Sequence, residues 1–297
     1  MTELSKKILD SWQVRKTREQ KSKFIDFMKS EIPSLKVEEG GFGKNRNLIL
    51  GDTRTAKIIV GAHYDTCAAL PFPNLITPKN ILIYILYNLL ILAPMIALIA
   101  VFFKTLNVLF YILAIAYALA VSLTMVLGKP NKHTANDNTS GVITLCELWG
   151  TLSEDEKSRV ALVFFDNEEN GMLGSRFYKK MHQSEIQNQL MINVDCISDG
   201  DHIMLIKSKS AEDTLGKTID SAFIPNGKKT VVTALSSTAI YPSDQSNFPK
   251  HVAVAAMKKN KLLGYYLDKI HTKNDVNFDE ANIEIVTLGI KKIISEI

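Results

Sequence analysis

Cysteine is scarce in this sequence, and net charge is small. The chain of 297 residues has three cysteines, Cys67, Cys146 and Cys196, without CxxC spacing between any two of them. An odd number of widely spaced cysteines excludes a paired disulfide framework and favours a reducing compartment. We therefore expect all three to be small buried side chains, although Cys67 and Cys196 lie near candidate site residues described below.

The charge balance excludes a nucleic-acid-binding protein. Thirty-five lysines and arginines face 31 acidic residues, for a formal net charge of +4, and no basic patch interleaved with aromatic residues is present. Residues 1–24 are highly charged and lack an apolar core, so they do not form a signal peptide. The spacing of Ile8, Trp12 and Phe24 predicts amphipathic helix there instead.

Charge is nearly absent from one long stretch. Between Ile81 and Leu127 the only charged residue is Lys104. Residues 81–103 and 106–127 are each long enough for a membrane-spanning helix, which needs about 20 apolar residues. A tight turn around Lys104 would join them, and Pro94 is tolerable in a membrane helix. The alternative is a pair of buried core helices, but such helices rarely run this long without a polar face.

The position of this hairpin predicts how the chain is organised. We expect a catalytic domain in two parts, residues 1–79 and 129–297, with a transmembrane hairpin at 80–128 in contact with the lipid bilayer. Both flanks must then lie on the same side of the membrane. Lysines on the flanks outnumber the one at the tip, which favours a cytoplasmic catalytic domain. These flanking lysines are Lys79, Lys129 and Lys132.

The remaining sequence predicts an α/β fold. Short apolar runs such as AKIIVGAHYDT, RVALVFFDNEEN and LMINVDCISDGD read as strands that end in polar residues, and GVITLCELWGTL reads as a helix. Alternating strands and helices predict a three-layer sandwich, in which helices flank a central mixed, mostly parallel sheet. Active sites of such sheets gather at the carboxyl ends of the strands.

Candidate metal ligands lie at those strand ends. His63 and Asp65 point to the same face of a strand, so Asp65 is placed to bond the His63 ring and fix its orientation. Asp137 has two oxygens and is able to bridge two cations. Taken alone, His63 is more often an ordinary surface histidine, and Asp137 in a polar turn before a helix is more often a cap.

Further acids and a histidine follow in the second half of the chain. One of Glu168 and Glu169 is suited to bind metal and the other to act as general base, although adjacent acids are commonly solvated surface charge. Asp195 ends a strand, and His271 has Asp275 four residues later as a supporting partner. Carboxylates together with imidazoles form a ligand set that suits zinc.

The segments AHYD, NDNTSG, FFDNEENGMLGS, NVD and IHTKND, taken together, resemble the di-zinc aminopeptidase-type exopeptidases of metallopeptidase family twenty-eight. The resemblance covers about residues 35–297 apart from the hairpin, in the family's order of motifs. It implies a peptide substrate and two Zn²⁺ ions.

The resemblance also implies a role for each residue. One ion would be held by His63, Asp137 and Asp195, and the other by Asp137, Glu169 and His271. Hydrolysis would proceed through a water that bridges the metals, with Glu168 as general base. The implied supporting residues are Asp65 and Asp275 beside the histidines and Tyr241 as a stabiliser of the oxyanion.

Two departures from the family pattern leave alternatives open. Many members have Ser-Asp-His where this chain has Ser243-Asp244-Gln245, and typical members have a soluble loop in place of the hairpin. A glutaminyl-cyclase-like or other zinc amide hydrolase is one alternative, and a non-catalytic membrane binding protein is another. The hairpin either anchors the domain or also holds the active site close to membrane-borne peptides.

Overall fold

The computed structural model describes all 297 residues, and strands alternate with helices along most of the chain. The strands are β1 (Lys36–Gly40), β2 (Asn45–Leu50), β3 (Ile58–His63), β4 (Val160–Phe165), β5 (Leu190–Val194), β6 (His202–Lys207), β7 (Thr230–Leu235), β8 (His251–Asn260) and β9 (Gly264–Tyr266). The helices are α1 (Glu3–Ser11), α2 (Arg18–Glu31), α3 (Ile81–Thr105), α4 (Val108–Leu127), α5 (Gly141–Thr151), α6 (Glu154–Arg159), α7 (Leu173–Met181), α8 (Lys209–Ala222) and α9 (Glu280–Glu296).

All nine strands belong to one mixed sheet. Their order is β1-β2-β4-β3-β5-β8-β6-β7, with β9 paired to β8. The central strands β4, β3, β5 and β8 are parallel to one another, whereas β1–β2, β2–β4 and β6–β8 are antiparallel pairs. Helices pack on both faces, so the predicted α/β sandwich around a mixed sheet is confirmed.

The core explains why the central strands read as continuous apolar runs. On one face, 39 buried residues form a cluster between the sheet and helices α1, α2, α5, α8 and α9. Two smaller clusters cover the opposite face, where Tyr178 of α7 packs against Phe165 and Phe248. Strands buried on both faces have no polar side to alternate with, so β4 is apolar throughout.

Helices α3 and α4 stand apart from this core. No residue of α3 is buried, and Ala114 is the one buried residue of α4. Both helices are long and apolar enough to cross a membrane, with hydropathies of 2.5 and 2.2. A core helix would bury its apolar side chains, so the alternative of a buried helix pair is wrong.

The segments that lead into and out of the helix pair connect it to the sheet edge. Ala69 N–H donates to the carbonyl of Lys129 (2.9 Å), and Asn131 N–H donates to that of Cys67 (3.1 Å). On the other side, Leu70 N–H donates to the carbonyl of His271 (2.8 Å). We call these two segments, residues 67–80 and 128–131, the hairpin feet.

Candidate metal centre

The candidate ligands converge on the carboxyl edge of the parallel strands. His63 is the last residue of β3, and Asp195 directly follows β5. Glu168 and Glu169 lie in the loop after β4, beside β3 in the sheet. Because parallel neighbours end at the same edge, their following residues meet there. Asp137 reaches this edge from the irregular turn before α5, and its peptide bond to Asn138 is cis.

A first cluster forms around His63. The Nε2 atom of its ring lies 3.3 Å from Oδ1 of Asp137 and 3.5 Å from Oδ1 of Asp195. All three side chains are at least nine-tenths buried. One imidazole nitrogen and two carboxylates thus face a common point.

A second cluster forms around His271 and shares Asp137 with the first. The Nε2 atom of His271 lies 3.2 Å from Oδ2 of Asp137 and 3.2 Å from Oε2 of Glu169. The two oxygens of Asp137 therefore face two different histidines. This is the arrangement required of a carboxylate that bridges two cations.

The tautomer of His63 tests whether a cation fits. Its Nδ1 lies 3.1 Å from the backbone carbonyl oxygen of Asp65, which can only accept, so Nδ1 carries the proton. In the neutral ring, Nε2 then presents a lone pair to the carboxylates of Asp137 and Asp195. Lone pairs that converge in this way require a proton or a metal ion between them, so the donor set fits a metal.

Unpaired oxygens support the same conclusion. Oε1 of Glu169 and Oδ1 of Asp195 are buried without a hydrogen-bond partner. A buried carboxylate oxygen without a partner is costly, and a bound cation removes that cost. Burial raises the pKa of Glu169 to about 8. Burial alone would lower the pKa of His271, but the carboxylates of Glu169 and Asp137 raise it to about 9.

The two supporting aspartates bond backbone amides rather than the histidine rings that the sequence predicted as their partners. Asp65 accepts from the N–H groups of Glu168 (2.9 Å) and Glu169 (3.2 Å), and its Oδ1 is 3.7 Å from Nδ1 of His63, too far for a hydrogen bond. Asp275 likewise accepts from the N–H groups of Asn136 (2.9 Å) and Asp137 (3.0 Å). Each aspartate therefore fixes a loop that carries candidate ligands.

The side chain of Glu168 lies beside these clusters, and the pKa of its carboxyl group is raised. Burial raises its pKa well above the usual range, and the nearby carboxylates of Asp244 and Glu169 add to the rise. Its backbone is held by Asp65, while its side chain makes no hydrogen bond within the protein. The carboxylate is thus free to receive a proton from a bound molecule.

Tyr241 lies beside the centre, but its hydroxyl already has a partner. It is 5% exposed, and its O–H donates to the carbonyl oxygen of Asp195 (3.2 Å). The single hydroxyl proton is therefore used to hold the backbone of a candidate ligand. The oxyanion role that the resemblance implied for this residue remains a prediction.

The Ser243-Asp244-Gln245 segment is also buried next to the centre. Asp244 accepts from the hydroxyl of Ser175 (2.5 Å), and burial raises the pKa of Asp244 to about 7. Gln245, which stands where many family members have histidine, accepts through Oε1 from the side chain of Asn193 (2.8 Å). It also donates to the carbonyl of Tyr241, so Gln245 has a structural role in this chain.

The sequence did not predict that two cationic side chains, Arg15 and Lys21, are buried behind the centre. Arg15 is fully buried between α1 and α2, where it donates to the carbonyl of Tyr64 (2.5 Å) and the hydroxyl of Thr139 (3.2 Å). Lys21 of α2 pairs with Asp166 (2.6 Å) below the Glu168 loop. The same stretch of sequence carries exposed charged residues such as Arg18, Glu19 and Lys23, so residue type does not distinguish the buried cations from the exposed ones.

Comparison with known proteins agrees with this geometry. The model of a family described as peptidase family M28 matches residues 119–287, more than half of the chain. The match includes every candidate ligand except His63, which precedes it. No curated protein sequence matches the chain.

Solved structures show the same fold at low sequence identity. The aminopeptidase LapA of Legionella pneumophila is 11% identical with a TM-score of 0.58, over 99% of this chain and 69% of that one. LapB of the same organism is 14% identical with a TM-score of 0.57, over 99% and 70%. A glutaminyl cyclase of Macrostomum lignano is 11% identical with a TM-score of 0.58, over 99% and 88%.

Proposed function

Because the chain belongs to peptidase family M28, a family of zinc-dependent exopeptidases, we propose that it is an aminopeptidase with two zinc ions. The observation that carries the proposal is the pair of three-residue clusters that share Asp137. His63, Asp137 and Asp195 would hold one ion. Asp137, Glu169 and His271 would hold the other.

When bound, zinc supplies Lewis acidity, which lowers the pKa of a coordinated water and polarises the scissile carbonyl. Glu168 takes the proton of the attacking water on a carboxylate oxygen and later delivers it to the nitrogen of the departing amine. Its raised pKa suits both steps, because a base must also be able to act as an acid near neutral pH. Asp65 keeps Glu168 in place through the backbone amide.

We propose further that residues 80–128 anchor a single catalytic domain, made of residues 1–79 and 129–297, in the bilayer. Strands from both parts lie in one sheet, and α3 and α4 expose their apolar side chains. The excess of lysines on the flanks favours a cytoplasmic catalytic domain. A Lys104→Cys variant should then react with a membrane-impermeant thiol reagent from outside intact cells. Reaction only after the membrane is opened would reverse the orientation.

The test is hydrolysis by the full chain, purified in detergent, of peptides with a free or an acetylated N-terminus. We expect cleavage of the free form alone, with about two zinc ions per chain. Glu168→Gln should keep the zinc and lose about 10²–10⁴-fold in kcat, since it removes the proton acceptor. Glu154→Gln, at an exposed acid of α6, is the matched control and should change neither quantity.

The same experiment separates the alternatives. Cyclisation of N-terminal glutamine without peptide cleavage would favour the glutaminyl-cyclase-like enzyme, and zinc binding without any turnover would favour the binding protein. His63 argues against a one-zinc cyclase, because its ring completes the first cluster with Asp137 and Asp195, in addition to the cluster around His271. A Glu168→Gln variant with the wild-type rate would remove Glu168 from the mechanism.

A further inference from the structure

Two of the three cysteines lie beside the metal centre, and their surroundings differ. Cys196 packs in an apolar cluster with Tyr241, and Cys146 packs in the main core. Cys67 is 3% exposed but belongs to none of the apolar clusters. The expectation of three buried cysteines is met. Sγ of Cys196 also lies within 4.8 Å of the ligand atoms of Asp137 and Asp195, but Cys67 alone lacks an apolar cluster around it.

The neighbours of Cys67 are metal-binding groups. Its Sγ atom lies within 4.8 Å of the ligand atoms of both Glu169 and His271. The nearest hydrogen-bond donor is the Asn131 amide, at 3.9 Å, and the same NH₂ group donates to the carbonyls of His133 (2.6 Å) and Thr272 (2.9 Å). Two good acceptors use both amide protons, so the sulfur has no strong partner.

One oxygen of the neighbouring Glu169 carboxylate is also without a partner. Oε1 of Glu169 is buried and makes no hydrogen bond, while Oε2 of the same carboxylate faces His271. One sulfur, one carboxylate oxygen and one imidazole nitrogen therefore lie within 4.8 Å of one another. Thiolate, carboxylate and imidazole are the three ligand types that zinc prefers in proteins.

We propose that Cys67 is an additional ligand, through Sγ, of the ion held by Asp137, Glu169 and His271; the proposal rests on the proposed function. On binding, the S–H bond breaks, its proton passes to solvent, and a sulfur lone pair forms the bond to the metal without a change of oxidation state. The hairpin foot that begins at Cys67 would then be tied directly to the metal centre. A soft sulfur ligand would also make this ion position more selective for zinc over manganese than an oxygen and nitrogen set.

Cobalt substitution tests the proposal by spectroscopy. The full chain in detergent is stripped with a chelator and titrated with Co²⁺ alone, while its absorption spectrum is recorded. Visible ligand-field bands report that cobalt is bound, and a near-ultraviolet thiolate-to-cobalt charge-transfer band reports a sulfur ligand. We expect both in the wild type, and complete loss of the charge-transfer band in Cys67→Ser with the visible bands retained. Cys196→Ser and Cys146→Ser are the matched controls and should keep both.

Each other outcome overturns the proposal. Visible bands without charge transfer in the wild type would show that cobalt binds without sulfur, which leaves the proposed function intact. Charge transfer that disappears in Cys196→Ser instead would assign the sulfur to the other ion. Absence of all cobalt bands would reject the metal centre, and the proposed function with it.

A measurement on the unaltered chain covers the case in which Cys67→Ser does not fold. X-ray absorption at the zinc edge averages over both ions, so it should show about half a sulfur scatterer per zinc at about 2.3 Å, the length of a zinc–sulfur bond. A spectrum fitted by nitrogen and oxygen alone, at about 2.0–2.2 Å, would overturn the proposal.

Discussion

At the residue scale, Asp137 joins the two halves of the centre, since each of its oxygens faces a different histidine. We expect His63→Ala and His271→Ala each to bind about one zinc ion per chain, and Asp137→Ala to bind neither ion tightly, because it removes a ligand from both. Metal analysis after dialysis measures these ratios. Asp201→Ala, at an exposed acid, is the control. A full zinc content in Asp137→Ala would exclude the bridging arrangement.

Arg15 supports the centre from behind without touching a candidate ligand. Its guanidinium donates to the carbonyl of Tyr64 and the hydroxyl of Thr139, next to the segments that carry His63 and Asp137. Arg15→Met leaves the buried carbonyl of Tyr64 without its side-chain donor, whereas Thr139 keeps its bond to Thr134. We expect the free energy of unfolding to fall by about 3 kcal/mol. Arg18→Met, at an exposed position of α2, should change it by less than about 0.5 kcal/mol. Denaturant titration of both variants in the same detergent measures their free energies of unfolding. An equal loss in the two variants would show that Arg15 is not a structural cation.

At the element scale, the hairpin feet connect the helix pair to the His271 loop, and the backbone bonds between the feet use only residues outside α3 and α4. We therefore expect that a chain in which a short Gly-Ser linker replaces residues 81–127 stays in solution without detergent and binds the same amount of zinc. Removal of residues 69–130, which takes the feet as well, should lower the affinity for zinc, because Leu70 no longer holds the carbonyl of His271.

The two hypotheses for the hairpin predict different rates of hydrolysis by the shortened chain. If α3 and α4 only anchor the domain, kcat/KM is unchanged for soluble peptides and for peptides anchored in vesicles. A selective fall on vesicle-anchored peptides would show that the hairpin also directs substrate. A shortened chain that folds but binds no zinc would contradict the independence of the feet.

The sequence predicted the elements better than the contacts between loops. Acids at the ends of apolar strands, such as Asp195 after β5, could be identified because strand ends meet at one sheet edge. The hydrogen-bond partners of Asp65 and Asp275 could not be predicted, because residue spacing along a strand or loop does not show which distant backbone amides lie next to an aspartate in the fold. Arg15 and Lys21 were hidden for the same reason, since only tertiary packing separates a buried cation from its exposed neighbours.

At the scale of the whole molecule, the chain gathers buried acids at one edge of its sheet. Burial raises the pKa of Asp275 to about 8, as it does that of Glu169, and the pKa of Asp244 to about 7. The pKa of His271 is about 9. All four groups therefore keep protons in the folded, metal-free protein at pH values where the unfolded chain has released them. The ordinary values are 3.8 to 4.5 for the carboxyl groups and 6.5 for the imidazole.

The metal-free protein should therefore lose stability as the pH rises from about 4 to about 9, since the folded state binds more protons than the unfolded chain across that range. The stabilisation is complete below the unfolded pKa values and gone above the folded ones, with a slope on the order of 1.4 kcal/mol per pH unit for each extra proton. His202 and His251 act in the opposite sense, because burial lowers the pKa of each imidazole, but they are outnumbered by the groups with a raised pKa.

Zinc reverses this dependence, because metal ions compete with the same protons for the same lone pairs. The increase in Tm caused by zinc binding should therefore grow from about pH 5 to about pH 8. Thermal unfolding of the chelator-treated protein and of the zinc-loaded protein, in the same detergent, measures this increase. Asp244→Asn removes one of the retained protons without removing a proposed ligand, so it should flatten the decline of the metal-free protein. A metal-free Tm that rises through this range would mean that the buried carboxyl groups are already ionised in the fold, and that the centre balances their charge by other means.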